Sequence, residues 1–234
     1  MKKTTFVALI LLSCQCFADN LKSSLVSVES EWASIYYKMP NQKQKQAYPQ
    51  LLDKATKLSK QYPTSPELLF WQAVIKATYA DHQDAITALQ SIHEARDLLI
   101  KALKINPNTM NGSAYVTLGT LYYMVPKWPI AFGDNAKAKE LLETALKINP
   151  NGIDANYYYA DYLFANDEIN RAEIYYKKAA SASTQADQSY SDIRLKEEAK
   201  IALIKTQKQK NSRSNDLLSF FSSSSASKPT LSKQ

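Results

Sequence analysis

Glycine is scarce in this chain of 234 residues: there are four, beside nine prolines, two cysteines and two histidines. Strands and tight turns are punctuated by glycine and proline, so the long stretches without either favour helices. Four glycines are also too few for a phosphate-cradling loop, and no Gly-x-Ser-x-Gly elbow occurs. His82 and His93 stand outside any metal-binding spacing such as His-Glu-x-x-His. Cys14 and Cys16 both fall within the first 18 residues. The remainder therefore has no disulfide, no thiolate nucleophile and no thiolate metal site. Together these absences predict a protein that is not an enzyme and carries neither metal nor cofactor.

A long apolar run is missing as well. Lys2 and Lys3 precede only Phe6 to Leu12, a run far below the ~20 residues that cross a bilayer. A basic start, a short apolar run and small residues behind it read as a secretory signal over residues 1–18, which predicts export to the periplasm or cell envelope. Two processing schemes fit. Cleavage after Ala18, with Cys16 and Ala18 as the small residues before the cut, releases a soluble protein that starts at Asp19. Alternatively "LLSC", Leu11 to Cys14, resembles the lipobox of bacterial lipoproteins, in which Cys14 receives lipid and ties the protein to a membrane.

The formal charge of +7 is unevenly spread. Lys2 and Lys3 supply part of it, and the residues from Arg194 onward supply most of the rest. The body from Asp19 to Ile193 is close to neutral, so the excess does not form a basic groove across the fold. No nucleic-acid partner is expected.

What is present is repetition. "ALKINPN" occurs letter for letter at Ala102–Asn108 and at Ala145–Asn151. Around it Ala95, Leu98, Leu99, Ala102, Leu103 and Ile105 match Ala138, Leu141, Leu142, Ala145, Leu146 and Ile148. Steps of three and four place these apolar residues on one helical face. Each copy stops at Asn-Pro, because the residue before proline is pushed out of the helical region. A further copy follows 34 residues on: Ala138, Leu142 and Ala145 recur as Ala172, Tyr176 and Ala179. Ahead of it stands Ala160, and one unit earlier Leu118, Gly119 and Tyr122 carry the same first-helix mark. Small residues at these positions let paired helices approach closely.

This pattern resembles the tetratricopeptide repeat, a 34-residue helix pair. The 62 residues from Leu118 to Ala179, "LGTLYYMVPKWPIAFGDNAKAKELLETALKINPNGIDANYYYADYLFANDEINRAEIYYKKA", are similar to exported bacterial tetratricopeptide proteins, among them relatives of the T component of TRAP transporter systems. The resemblance implies an all-helical solenoid whose first helices line a concave groove. For the T components it further implies a periplasmic lipoprotein that partners a solute-binding protein. The asparagine-rich, basic clamp that some members use on a partner's carboxylate is not matched: Tyr157 and Asp161 stand in its place.

The predicted organisation is therefore a signal over 1–18, a solenoid over 19–206 and a disordered, basic, serine-rich tail over 207–234. Its predicted helix pairs are Leu21–Met39 with Tyr48–Gln61, Pro66–Ala80 with His93–Lys104, Ser113–Tyr123 with Asn135–Lys147, and Ala155–Phe164 with Asn170–Ala182. A last helix, about Ser189 to Thr206, covers the open end as solenoids require.

Candidate binding residues form two groups. In "NYYYADY" the register turns Tyr159 and Ala160 toward the partner helix, which leaves Tyr157, Tyr158 and Asp161 for the groove, with Thr120 and Tyr123 of the preceding unit. The insert Val125–Asp134 adds Trp128 and Phe132, stiffened by Pro126 and Pro129, with Asp134 placed to cap the next helix. Trp128 is read either as a plug between helix pairs or as a ligand contact. In the tail, "LLSFF", Leu217 to Phe221, is an apolar knot that would suit docking into a groove. The expected partner is a protein or peptide segment held on the concave face. A solute-binding protein served by a transport accessory is the alternative.

Overall fold

The computed structural model describes residues 4–182 and 190–225, with side chains described over 20–182 and 190–212. Among these residues the chain forms nine α-helices and no strand. They are α1 (Thr4–Lys38), α2 (Asn41–Gln61), α3 (Pro66–Tyr79), α4 (Ala85–Ile105), α5 (Ser113–Met124), α6 (Asn135–Ile148), α7 (Ile153–Ala165), α8 (Ile169–Ser181) and α9 (Tyr190–Ser225). Consecutive helices pair as hairpins, α1 with α2 through α7 with α8, and α9 packs on α7 and α8. Odd-numbered helices also neighbour one another, α1 with α3, α5 with α7, and α9 with both α7 and α1. This is the all-α, tetratricopeptide-like hairpin solenoid that the repeat predicts.

The duplicated heptapeptide is the end of α4 and of α6. In each copy the asparagine amide closes the last turn, Asn106 N on Ala102 O at 2.9 Å and Asn149 N on Ala145 O at 2.8 Å. The alanines are fully buried, as are Ala95, Ala138, Ala160 and Ala172. Close crossing is enforced at Gly119 on α5, where a Cβ would lie 2.8 Å from Leu142 Cγ and 3.2 Å from Ala138 O. Larger residues fill the remaining space: Leu99, Leu118, Leu142, Tyr159 and Leu163 are buried, each such aliphatic side chain contributing about 1.5–3 kcal/mol.

Some boundaries differ from the sequence expectation. α4 begins at Ala85 and not at His93, because Asp84 caps it by accepting from Ile86 N and Thr87 N; His93 lies within the helix. A short 3-10 turn, Ala80–His82, joins it to α3. α1 runs unbroken from Thr4, and α2 starts at Asn41 and continues through Pro49. At the other end α9 passes Gln207, the expected boundary of the tail, where Gln207 and Lys210 both reach Glu173. No glycine or proline interrupts it and lysine, glutamine and leucine are good helix formers. The side chains of Cys14, Cys16 and "LLSFF", and residues 226–234, lie outside the described residues.

The insert between α5 and α6 is a folded-back loop. Gly133 N donates to Pro126 O (2.9 Å) and Asp134 N to Tyr122 O (2.8 Å). A Cβ at Gly133 would stand 2.2 Å from Val125 O, so the fold-back admits only glycine. Asp134 then caps α6 through Ala136 N and Lys137 N, as expected.

Candidate functional site

Residues of α1, α3, α5, α7 and α9, with some of α4 and α8, line a half-open cavity of about 1580 Å³. Its aromatic lining comes from three directions: Trp32, Tyr36 and Tyr37 on α1, Phe70 and Trp71 on α3, and Tyr157 and Tyr158 on α7. α1 and α9 meet across it. Ser191 Oγ donates to Glu29 Oε1 at 2.9 Å, Lys38 Nζ stands 3.9 Å above the Tyr190 ring, and the Arg194 guanidinium lies 5.7 Å from the Tyr37 ring. The rings pack on one another as well, Trp32 stacking on Tyr36 at 5.2 Å and Tyr157 meeting Tyr158 edge-on at 5.0 Å.

α7 divides its tyrosines by helical register. Tyr159 is buried in the hairpin, where its hydroxyl donates to Glu143 (2.9 Å) and accepts from Arg171 (2.8 Å). Ala160 is fully buried beside it. Tyr157, Tyr158 and Asp161 face the cavity together with Thr120 of α5. Tyr123 is not a cavity-wall residue: its hydroxyl donates to Asp161 Oδ2 at 2.5 Å, and Tyr176 donates to Asp161 Oδ1 at 3.1 Å. The Asp161 carboxylate is thereby fixed at the cavity edge by two phenols.

The insert residues behave differently from one another. Phe132 packs against His93 and Tyr122 at 5.1 and 5.2 Å, with Arg96 over its ring, and so closes the seam between α4 and α5. Trp128 is 85% exposed and lies outside the cavity wall, so it neither plugs the gap between helix pairs nor joins Tyr157 and Tyr158. Val125, Pro126 and Ile130 are the insert residues that reach the cavity.

Electrostatically the site is acidic. Burial, and then the Glu198 carboxylate of α9, push the Tyr36, Tyr37 and Tyr157 phenols above their ordinary value. Tyr158 rises with them through burial and its neighbours, Glu198 included. Glu198 lines the same cavity as all four rings. Its own carboxyl is raised by burial, against the opposing pull of Arg194. A smaller crevice of about 260 Å³ lies on the other side of Tyr157, Asp161 and Glu198 and is bounded by Lys205 and Ile201.

Nothing in the repeat pattern marks Trp32, Tyr36, Tyr37, Trp71 or Glu198. The one available signal is "EWASIYY", whose Trp32, Tyr36 and Tyr37 share a helical face by their i, i+4, i+5 spacing. That this face meets α7 follows from solenoid curvature, which no local pattern encodes. Among the described residues no group of three His, Cys, Asp or Glu side chains is arranged to hold a metal ion.

Residues 130–196 match the tetratricopeptide repeat family. The match covers α6, α7 and α8 and reaches into α9, the portion that carries the clearest small-residue pattern. Among solved structures the chain is similar to MamA, at 19% identity over 77% of this chain and 99% of that one, with a TM-score of 0.43. It is likewise similar to yeast Tom70, at 20% identity over 74% of this chain and 32% of that one, also with a TM-score of 0.43. No curated protein sequence matches the chain.

Proposed function

We propose that this protein is a non-catalytic tetratricopeptide scaffold of the cell envelope that buries an extended segment of a partner protein in its inner cavity. The observation that carries the reading is the aromatic wall of Trp32, Tyr36, Tyr37, Trp71, Tyr157 and Tyr158 around one space. At about 1580 Å³ that space exceeds the roughly 300–1,000 Å³ of small-molecule pockets, and suits several residues of extended chain. Tyrosine and tryptophan supply large contact area at little entropic cost, and their polar tips serve a peptide backbone. Export rests on Lys2, Lys3 and the apolar run Phe6–Leu12; lipid attachment at Cys14 would hold the scaffold at a membrane.

A photo-crosslinking amino acid placed at Tyr158, and in a second variant at exposed Ile174 on α8, tests the siting in living cells. An adduct with a protein formed from position 158 and not from 174 is expected. Adducts of equal yield from both positions, or none from 158, would overturn it.

The contact of α1 with α9 across the cavity favours a second reading, in which the space is a closed container for a solute. The protein would then be an accessory of solute transport that passes its ligand to or from a solute-binding protein, as the resemblance to T components implies. Native mass spectrometry separates the two: a retained small molecule supports the container, a retained peptide the scaffold.

A further inference from the structure

The charge lining the cavity is one-sided. Glu29, Asp81, Asp154, Asp161, Asp192 and Glu198 reach it, against Lys178 alone. Lys178 is itself drawn to the Tyr175 ring, 4.9 Å from its centroid. Arg194, the cation nearest Glu198 on its own helix, is paired with Glu197 at 2.5 Å. Glu198 has no ion pair within 4 Å among the described residues; it lines the cavity with Tyr36, Tyr37, Tyr157 and Tyr158, and the last two pack against its helix neighbours Leu195 and Ala199.

Two residues that line the cavity also carry buried polar atoms without a partner. Asn156 is 1% exposed; its amide nitrogen donates to Pro150 O (2.9 Å) and Gly152 O (2.8 Å), which fixes the amide orientation and leaves Oδ1 as an acceptor with no donor. Trp71 is 5% exposed, and its indole N–H has no acceptor. Buried polar groups without partners are uncommon, and here both belong to residues that line one space while the atoms themselves are covered by the packing around them.

We propose, building on the peptide-binding reading above, that the segment held in the cavity is basic, with a lysine or arginine side chain seated at Glu198 among Tyr36, Tyr37, Tyr157 and Tyr158. The chemistry is that of an aromatic cage closed by a carboxylate. Ring faces attract an ammonium or guanidinium through their quadrupoles, and a carboxylate screened from water strengthens the attraction. The seam already uses its rings in this way, with Lys38 over Tyr190 and Arg194 over Tyr37. An acidic segment would meet six carboxylates and is excluded.

Binding is read by the fluorescence of Trp32 and Trp71 in a Trp128→Phe background, using an alternating lysine–alanine peptide, its glutamine–alanine and glutamate–alanine counterparts, and spermidine. The lysine peptide should bind at least about tenfold tighter than the glutamine peptide, with the glutamate peptide weakest. Glu198→Gln, an isosteric change whose fold is checked by circular dichroism, should remove that preference. Lysine and glutamine peptides of equal affinity would overturn the cationic site and leave the peptide reading standing. Spermidine bound in a Glu198-dependent way, with no peptide bound, would keep the cation site and overturn the peptide reading. A lysine preference that survives Glu198→Gln overturns the siting, and no binding by any probe overturns both.

Discussion

Tyrosines inside the hairpins and tyrosines around the cavity are the same residue under opposite conditions. In the α5–α6 and α7–α8 hairpins the buried phenols are answered by the chain itself, Tyr159 by Glu143 and Arg171, Tyr162 by Asn135 O at 3.1 Å and Tyr176 by Asp161, whereas Tyr48 of α2 is buried without a partner. Around the cavity the hydroxyls of Tyr157 and Tyr158 make no hydrogen bond among the described residues, and the Trp71 N–H and Thr120 hydroxyl are likewise unmatched. The difference separates residues that hold the solenoid together from residues that the solenoid holds in place. Phenols without a partner in the chain remain free to bond a ligand, whereas polar atoms covered without a partner are costly to the fold.

The contrast can be broken most severely from the hairpin side. Leu142→Ala, at a fully buried site between α5 and α6, should lower stability by about 2–5 kcal/mol in urea denaturation, because the transfer loss and the cavity add. Gly119→Ala, whose Cβ must push Leu142 and the Ala138 carbonyl, should lose about 1–3 kcal/mol by the same measurement. Removing the α6 cap with Asp134→Ala should lose about 1 kcal/mol, visible as a lower thermal midpoint. From the cavity side the expectation reverses: Tyr157→Ala with Tyr158→Ala should abolish binding of the lysine–alanine peptide while far-UV circular dichroism keeps its helical signal. Trp128→Ala, on the exposed insert, should change neither stability by more than about 0.5 kcal/mol nor peptide affinity.

Acidity sharpens the same contrast. Burial raises the Glu198 carboxyl in the folded state, so folding disfavours its charged form. Its contribution to stability is greatest below the ordinary glutamate range and is lost as pH rises through the raised folded value. Glu198→Gln should therefore raise the thermal midpoint slightly at neutral pH, and the gain should vanish in acid. Equal midpoints for the two proteins across the whole range would show that Glu198 carries no such penalty.

The outer architecture was legible because it is written in local spacing. Ala95, Ala138 and Ala172 recur at helical intervals, Asn106 and Asn149 stand before prolines, and Asp134 precedes an amphipathic run, so the last two hairpins are placed almost to the residue. The start of α4 was not, since Ala85 to Ile92 lacks the unit's small-residue mark and only the cap of Asp84 announces it. Within the candidate site, Tyr157, Tyr158, Asp161 and Thr120 follow from the register of α5 and α7. Trp32, Trp71 and Glu198 do not, because they converge only through the accumulated curvature of nine helices. Trp128 was singled out for its ring and its rigid loop, whereas its position is decided by Gly133, which folds the insert back and turns that ring to solvent.

Ser191 and Glu29 are 162 residues apart in sequence, yet they share a hydrogen bond. A linear array of repeats has two loose ends, and each end unit can melt while its neighbours stay folded. Here the first and last helices lean on each other, so the two ends share one seam. Loosening either end removes support from the other, and the same event opens the cavity to the outside. The contact that ties the two ends of the array together is thus also part of the wall around its interior.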